Sequence, residues 1–125
     1  DIKYSDVDSE RILNANRAFE TFISGRELPQ SVLKRLLPER DDFAAVYRYL
    51  RNNGGYRYPI DTLPHRLGGK INFGRIRVIL EAMKQLSLIN YTEGMGISSI
   101  TLNPTSGRVS LEAAPVIKAL KEAIQ

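Results

Sequence analysis

The stretch LGGKINFGRIRVILEAMKQLSLI, Leu67 to Ile89, decides how this chain is read. Its first part nearly spells a phosphate-cradling loop, and its second part is a long amphipathic run. A nucleotide loop of the Walker A kind needs a lysine and then a Ser or Thr after its second glycine, because the lysine reaches the outer phosphates and the hydroxyl holds magnesium. Here Gly74 is followed by Arg75 and Ile76, and no long buried strand leads in. The glycines are therefore read as a turn. Gly68 and Gly69 supply left-handed backbone between two helices, and Gly74 permits a close approach at the start of the second. Asn72 is the expected cap of that helix. Ile76, Ile79, Leu80 and Met83 form its buried stripe, which Leu86 continues, and Arg75, Arg77, Glu81, Lys84 and Gln85 form its outward side.

Working outward, Asp61 is expected to cap a brief helix through Leu63 and Leu67, with Pro64 in its first turn. Tyr56 to Pro59 reads as one short extended piece. Asp41 and Asp42 precede Phe43, Val46, Tyr47 and Leu50, a core-facing helical stripe that Asn52 to Gly55 ends. Downstream, Ile89 to Thr92 and Ile97 to Leu102 are β-rich runs joined by Glu93-Gly94-Met95-Gly96, a hairpin signature. Asn103 to Gly107 reads as a loop, Val109 to Leu111 as a further short strand, and Pro115 opens a last helix bearing Ile117, Leu120 and Ile124. Helix, short strand, short helix, turn, longer helix and hairpin is the order of a winged helix-turn-helix. The fold class expected is mainly α with a small β hairpin, α+β. In front lie two further helices. One is capped by Ser9 and carries Ile12, Ala15, Phe19, Phe22 and Ile23 up to Gly25, and one starts at Leu28-Pro29 and ends at Pro38. Residues 1–40 are expected to be an N-terminal helical arm or linker from a longer parent protein, and residues 41–125 the winged-helix domain with its C-terminal helix.

The net charge of +4 is modest, but its placement is not even. Residues 54–86 hold six basic side chains, Arg57, Arg66, Lys70, Arg75, Arg77 and Lys84, against the two acids Asp61 and Glu81, while the two flanking parts balance. The excess positive charge thus gathers on the turn and the longer helix. Arg75 and Arg77 are placed to meet base edges or phosphates, and Lys70 and Arg66 the flanking backbone, with Lys84 and Arg57 next. Tyr47, Tyr49, Tyr56, Tyr58 and Tyr91 are rings able to stack on unpaired bases, and Tyr56 and Tyr58, alternating with Arg57, are the better candidates, since Tyr47 lies on an apolar stripe. The hairpin turn carries no positive charge, which suits a protein-docking surface better than a DNA-contacting wing.

Other chemistries are excluded by what the chain lacks. There is no cysteine, so neither a disulfide framework nor a thiolate metal site exists, and a reducing, cytoplasmic setting is expected. No apolar run approaches a membrane span, so no membrane partner is expected. The single histidine, His65, has no recognisable partner, and neither a nucleophile elbow nor a zinc-protease helix is present. No catalytic residue, metal ligand or cofactor is expected in this chain.

Three segments in order, LPERDDFAAVYRYLR (Leu37 to Arg51), GRIRVILEAMKQLSLI (Gly74 to Ile89) and GRVSLEAAPVIKAL (Gly107 to Leu120), together resemble the C-terminal region of bacterial RecJ-type single-strand-specific exonucleases. The resemblance implies an accessory domain of an enzyme that degrades single-stranded DNA from the 5′ end in recombination and repair, using manganese or magnesium held by an Asp-His-His region absent from this chain. It implies single-stranded or junction DNA, single-strand-binding protein and the parent's catalytic core as partners. The rivals are a protein-interaction domain that docks the parent enzyme or single-strand-binding protein, and a freestanding transcription regulator, which would need a dimer interface and an effector pocket.

Overall fold

The structure, a computed structural model, describes residues 6–104 and 110–124, with side chains described from Ile12 onward. It is mainly helical with a small antiparallel sheet. The helices are α1 (Asp6–Ile23), α2 (Gln30–Leu36), α3 (Arg40–Asn52), α4 (Leu63–Arg66), α5 (Phe73–Gln85) and α6 (Pro115–Ala123), and the strands are β1 (Tyr56–Tyr58), β2 (Ile89–Gly94) and β3 (Ile97–Leu102). The sheet order is β1-β3-β2, so the short extended piece before the turn adds a third strand to the hairpin. Tyr56 pairs with Ile100, and Ile100 with Tyr91, which sets one inward-facing row across all three strands.

Local signals explain most element ends. Asn72 caps α5 by accepting a 2.8 Å hydrogen bond from the Arg75 amide. Gly68 and Gly69 take φ of +84° and +70° in the turn before it. The hairpin closes on two residues, Met95 and Gly96, both at positive φ, as a tight twisted hairpin requires. Other expectations need correction. Helix α1 starts at Asp6, so Ser9 lies inside it and is not its cap. Helix α3 starts at Arg40, and Asp42 acts from its third position by accepting the Glu39 amide at 2.9 Å, the reciprocal half of a capping box. Asp61 lies within a 3₁₀ turn (Ile60–Thr62) ahead of α4 rather than at its cap. Leu111 begins another 3₁₀ turn (Leu111–Ala113) instead of ending a strand, and Val109 and Thr105 to Gly107 lie outside the described residues.

The core is built around α5. Eight of its thirteen residues are buried, too many for a helix with one wet face. Ile76, Val78, Ile79 and Ala82 are wholly enclosed, and each buried Ile or Val contributes about 1.5–3 kcal/mol relative to exposure. Helices α3 and α6 and strand β2 cover one part of it, and α1 and α2 cover the remainder. Phe19, Leu33 and Leu36 from the first two helices join the same core cluster as Phe43, Leu50 and Leu120. Side chains of α1 and α2 therefore contribute to the same core. Gly74 makes the crossing possible: a Cβ there would stand 2.6 Å from Leu36 Cδ2 and 3.1 Å from the Ala15 carbonyl oxygen.

Candidate nucleic-acid interface

The seven residues singled out by charge and ring chemistry divide into three groups. Arg75 is turned inward. Its Nε donates to the Arg35 carbonyl at 2.8 Å, and its terminal nitrogens approach the Lys34 carbonyl and the Asp42 carboxylate at 3.4 Å. It ties the end of α2 to the starts of α3 and α5, and its side chain is only 26% exposed. Arg77 is also half-buried. Its guanidinium lies 4.8 Å from the Phe19 ring centroid, with Nη1 3.3 Å from the Tyr91 hydroxyl and 3.8 Å from the Glu93 carboxylate, while Nε has no hydrogen-bond partner among the described residues. The expectation that Arg75 and Arg77 form an outward face is thus corrected: α1 and α2 pack over the side of α5 from which they project. Of the residues assigned to that outward side, only Lys84 and Gln85 are exposed, and Gln85 accepts the Val116 amide at 3.0 Å to seat α6.

Tyr56 needs the same correction. It is 2% exposed, so neither ring face is open for a base to stack on. Its hydroxyl donates to the Pro59 carbonyl at 2.7 Å and contacts the Thr62 hydroxyl, and burial pushes its phenol above the ordinary value. Tyr91 is pushed up as well, by burial first and then by the hydrogen bond it donates to Glu93.

The remaining candidates, Arg57, Arg66, Lys70 and Lys84, are all exposed. Comparisons with known protein families, with curated proteins and with solved structures give no match. Arg66, on α4, sits over the ring of Tyr58 with its guanidinium carbon 3.9 Å from the centroid. Tyr58 is 46% exposed and stands edge-on to buried Tyr56, 5.4 Å between centroids. Tyr49, from α3, is 6.3 Å from Tyr56 and interacts with Arg66. Three elements, α3, β1 and α4, so build a row of rings in which the buried member is hydrogen-bonded and the outer member carries a cation. Arg57 points to the opposite face of the sheet, alongside Ser99 and Thr92.

The sequence points to Arg66 and to the tyrosines, Tyr49 among them, but not to their contacts or to the row they form. The alternation Tyr56-Arg57-Tyr58 after a Gly-Gly turn was the available signal. Among the described residues no group of three or more His, Cys, Asp or Glu side chains is placed to hold a metal ion. No described helix is long and apolar enough to cross a membrane.

Proposed function

We propose that this chain is a winged-helix accessory domain that binds single-stranded DNA without base specificity, in the recombination and repair setting implied by the RecJ resemblance. On this reading it helps a metal-dependent exonuclease hold substrate, and the catalytic groups lie elsewhere in the parent. The topology supports the winged-helix reading, because β1 before the helical pair returns to the sheet beside the hairpin in the order β1-β3-β2. The observation that carries the DNA reading is Arg66 seated 3.9 Å over the exposed Tyr58 ring. A guanidinium held against a ring keeps its charge for phosphate and offers its outer face to a base, and base stacking contributes about 1–3 kcal/mol per base. Exposed Lys70 follows on the same turn and adds to the positive field. The buried α5 and the engaged Arg75 and Arg77 argue against a recognition helix lying in a major groove, so duplex sequence reading of the transcription-regulator kind is disfavoured.

The test is fluorescence anisotropy with labelled oligo-dT at low salt. Wild type binds with an affinity that falls as salt rises, because phosphate contacts release counterions. Tyr58→Ala with Arg66→Ala lowers affinity by about tenfold or more. Absence of binding by wild type at low salt overturns the reading.

A further inference from the structure

On the side of the molecule where α1 meets the hairpin, a groove of about 610 Å³ runs between the two. Its volume is within the range of sites that hold ligand or peptide side chains, about 300–1,000 Å³. Leu13, Ile60 and Phe73 are among its apolar lining residues, and Glu20, Asp61 and Glu93 are its acidic ones. A second hollow of about 390 Å³ continues it to the hairpin tip and shares Ile60, Glu93 and Gly96 with the first. The tip is unusual in two respects. Met95 is fully exposed, and it occupies φ of +53°, a left-handed position that Asn, Asp or Gly fills at lower cost. Neither local propensity nor burial accounts for a methionine there, and the neighbouring Ile97 is 46% exposed and Leu13 50%.

The charge of the described lining is opposite to that of the chain. Among the described residues the only basic side chain lining it is Arg77, which pairs with Glu93 at 3.8 Å, and neither Glu20 nor Asp61 forms an ion pair. The described lining thus combines apolar and acidic side chains on a protein of net charge +4.

We infer that the α1–hairpin groove docks a short amphipathic segment of a partner protein whose apolar side chains are flanked by Lys or Arg. Apolar anchors meet Leu13 and Ile60, with Met95 lining the adjoining hollow, and the flanking cations meet Glu20 and Asp61. Flexible, polarisable methionine suits such a surface, since it reshapes around different anchors. Charges of this kind set association rate and partner choice more than raw affinity. The inference is independent of the DNA reading, because the residues changed to test it are not Tyr58, Arg66 or Lys70.

The test uses the full chain and two labelled helical peptides with one leucine pattern, one carrying lysine and the other glutamate between the leucines. Anisotropy is expected to show wild type preferring the lysine peptide by about tenfold or more. Glu20→Lys with Asp61→Lys weakens it by about tenfold, and Leu13→Asp weakens it at least as much. Amide shifts in a labelled sample move at Leu13, Ile60 and Gly96, and oligo-dT affinity does not fall in any of these variants. Lack of binding, equal binding of both peptides, unchanged affinity in the variants, or shifts confined to the Tyr58–Arg66 face each overturns the inference. A concentration-dependent dimer lost in Leu13→Asp also overturns it, in favour of a second copy of the chain as occupant.

Discussion

Replacing Arg75 by alanine separates the account given by the structure from the one given by charge placement alone. The Nε bond to the Arg35 carbonyl at 2.8 Å is charge-assisted and three-quarters shielded, which sets its contribution at about 1.5–3 kcal/mol. The Asp42 ion pair at 3.4 Å is partly solvated and adds about 0.5 kcal/mol. One effect works the other way: Asn72 also donates to the Arg35 carbonyl, at 3.1 Å, so truncation does not strand that oxygen. The net loss is then about 2 kcal/mol, and for a domain of this size roughly 8 °C in Tm. Arg75→Lys restores charge but not the planar fork, and recovers less than half of the loss. Thermal unfolding followed by circular dichroism measures both, and oligo-dT anisotropy on the same samples is expected to change by no more than about twofold, the residue of long-range charge. A Tm that stays put while DNA affinity falls tenfold would refute this reasoning and return Arg75 to the binding surface.

Other expectations are as direct. Gly55→Ala destabilises by more than about 2 kcal/mol in urea denaturation, because Gly55 sits at φ +110° and a Cβ would overlap the Ile100 carbonyl. Gly74→Ala gains helix propensity of about 1 kcal/mol but meets Leu36 and the Ala15 carbonyl. The net is a loss of about 1 kcal/mol, seen as a lower urea midpoint. The raised phenols of Tyr56 and Tyr91 favour the neutral form in the folded state. Their contribution is complete below the ordinary phenol value of about 10 and is lost as pH rises through the higher folded values. Urea midpoints therefore fall at strongly alkaline pH, and Tyr56→Phe makes that fall shallower.

Periodicity made the elements of the chain legible where one face of a segment was apolar. Asn72, the paired glycines and the β-rich runs of the hairpin mark their own positions, and α3, α5 and α6 form where their stripes place them. What a single segment cannot reveal is how many neighbours it has. The pattern on α5 was read as one buried stripe and one wet side, yet Val78 and Ala82 are also enclosed, because α1 and α2 fold back over it. That packing converts Arg75 from a surface cation into a tie between helices. A trace of it was present in Gly74 and Ala15, small residues at a helix crossing, but nothing in the sequence joins two positions so far apart. The Tyr58–Arg66 contact was hidden because the 3₁₀ turn Ile60–Thr62 sets how α4 comes back beside β1.

The measurement that bears most directly on the proposed role is an amide shift map of the isotopically labelled chain titrated with oligo-dT at low salt. The account predicts that Tyr58, Arg66 and Lys70 move first, with Tyr49 following and the α5 amides from Ile76 to Met83 unmoved. Shifts concentrated along α5 at Arg75 and Arg77, with Tyr58 and Arg66 silent, would contradict it.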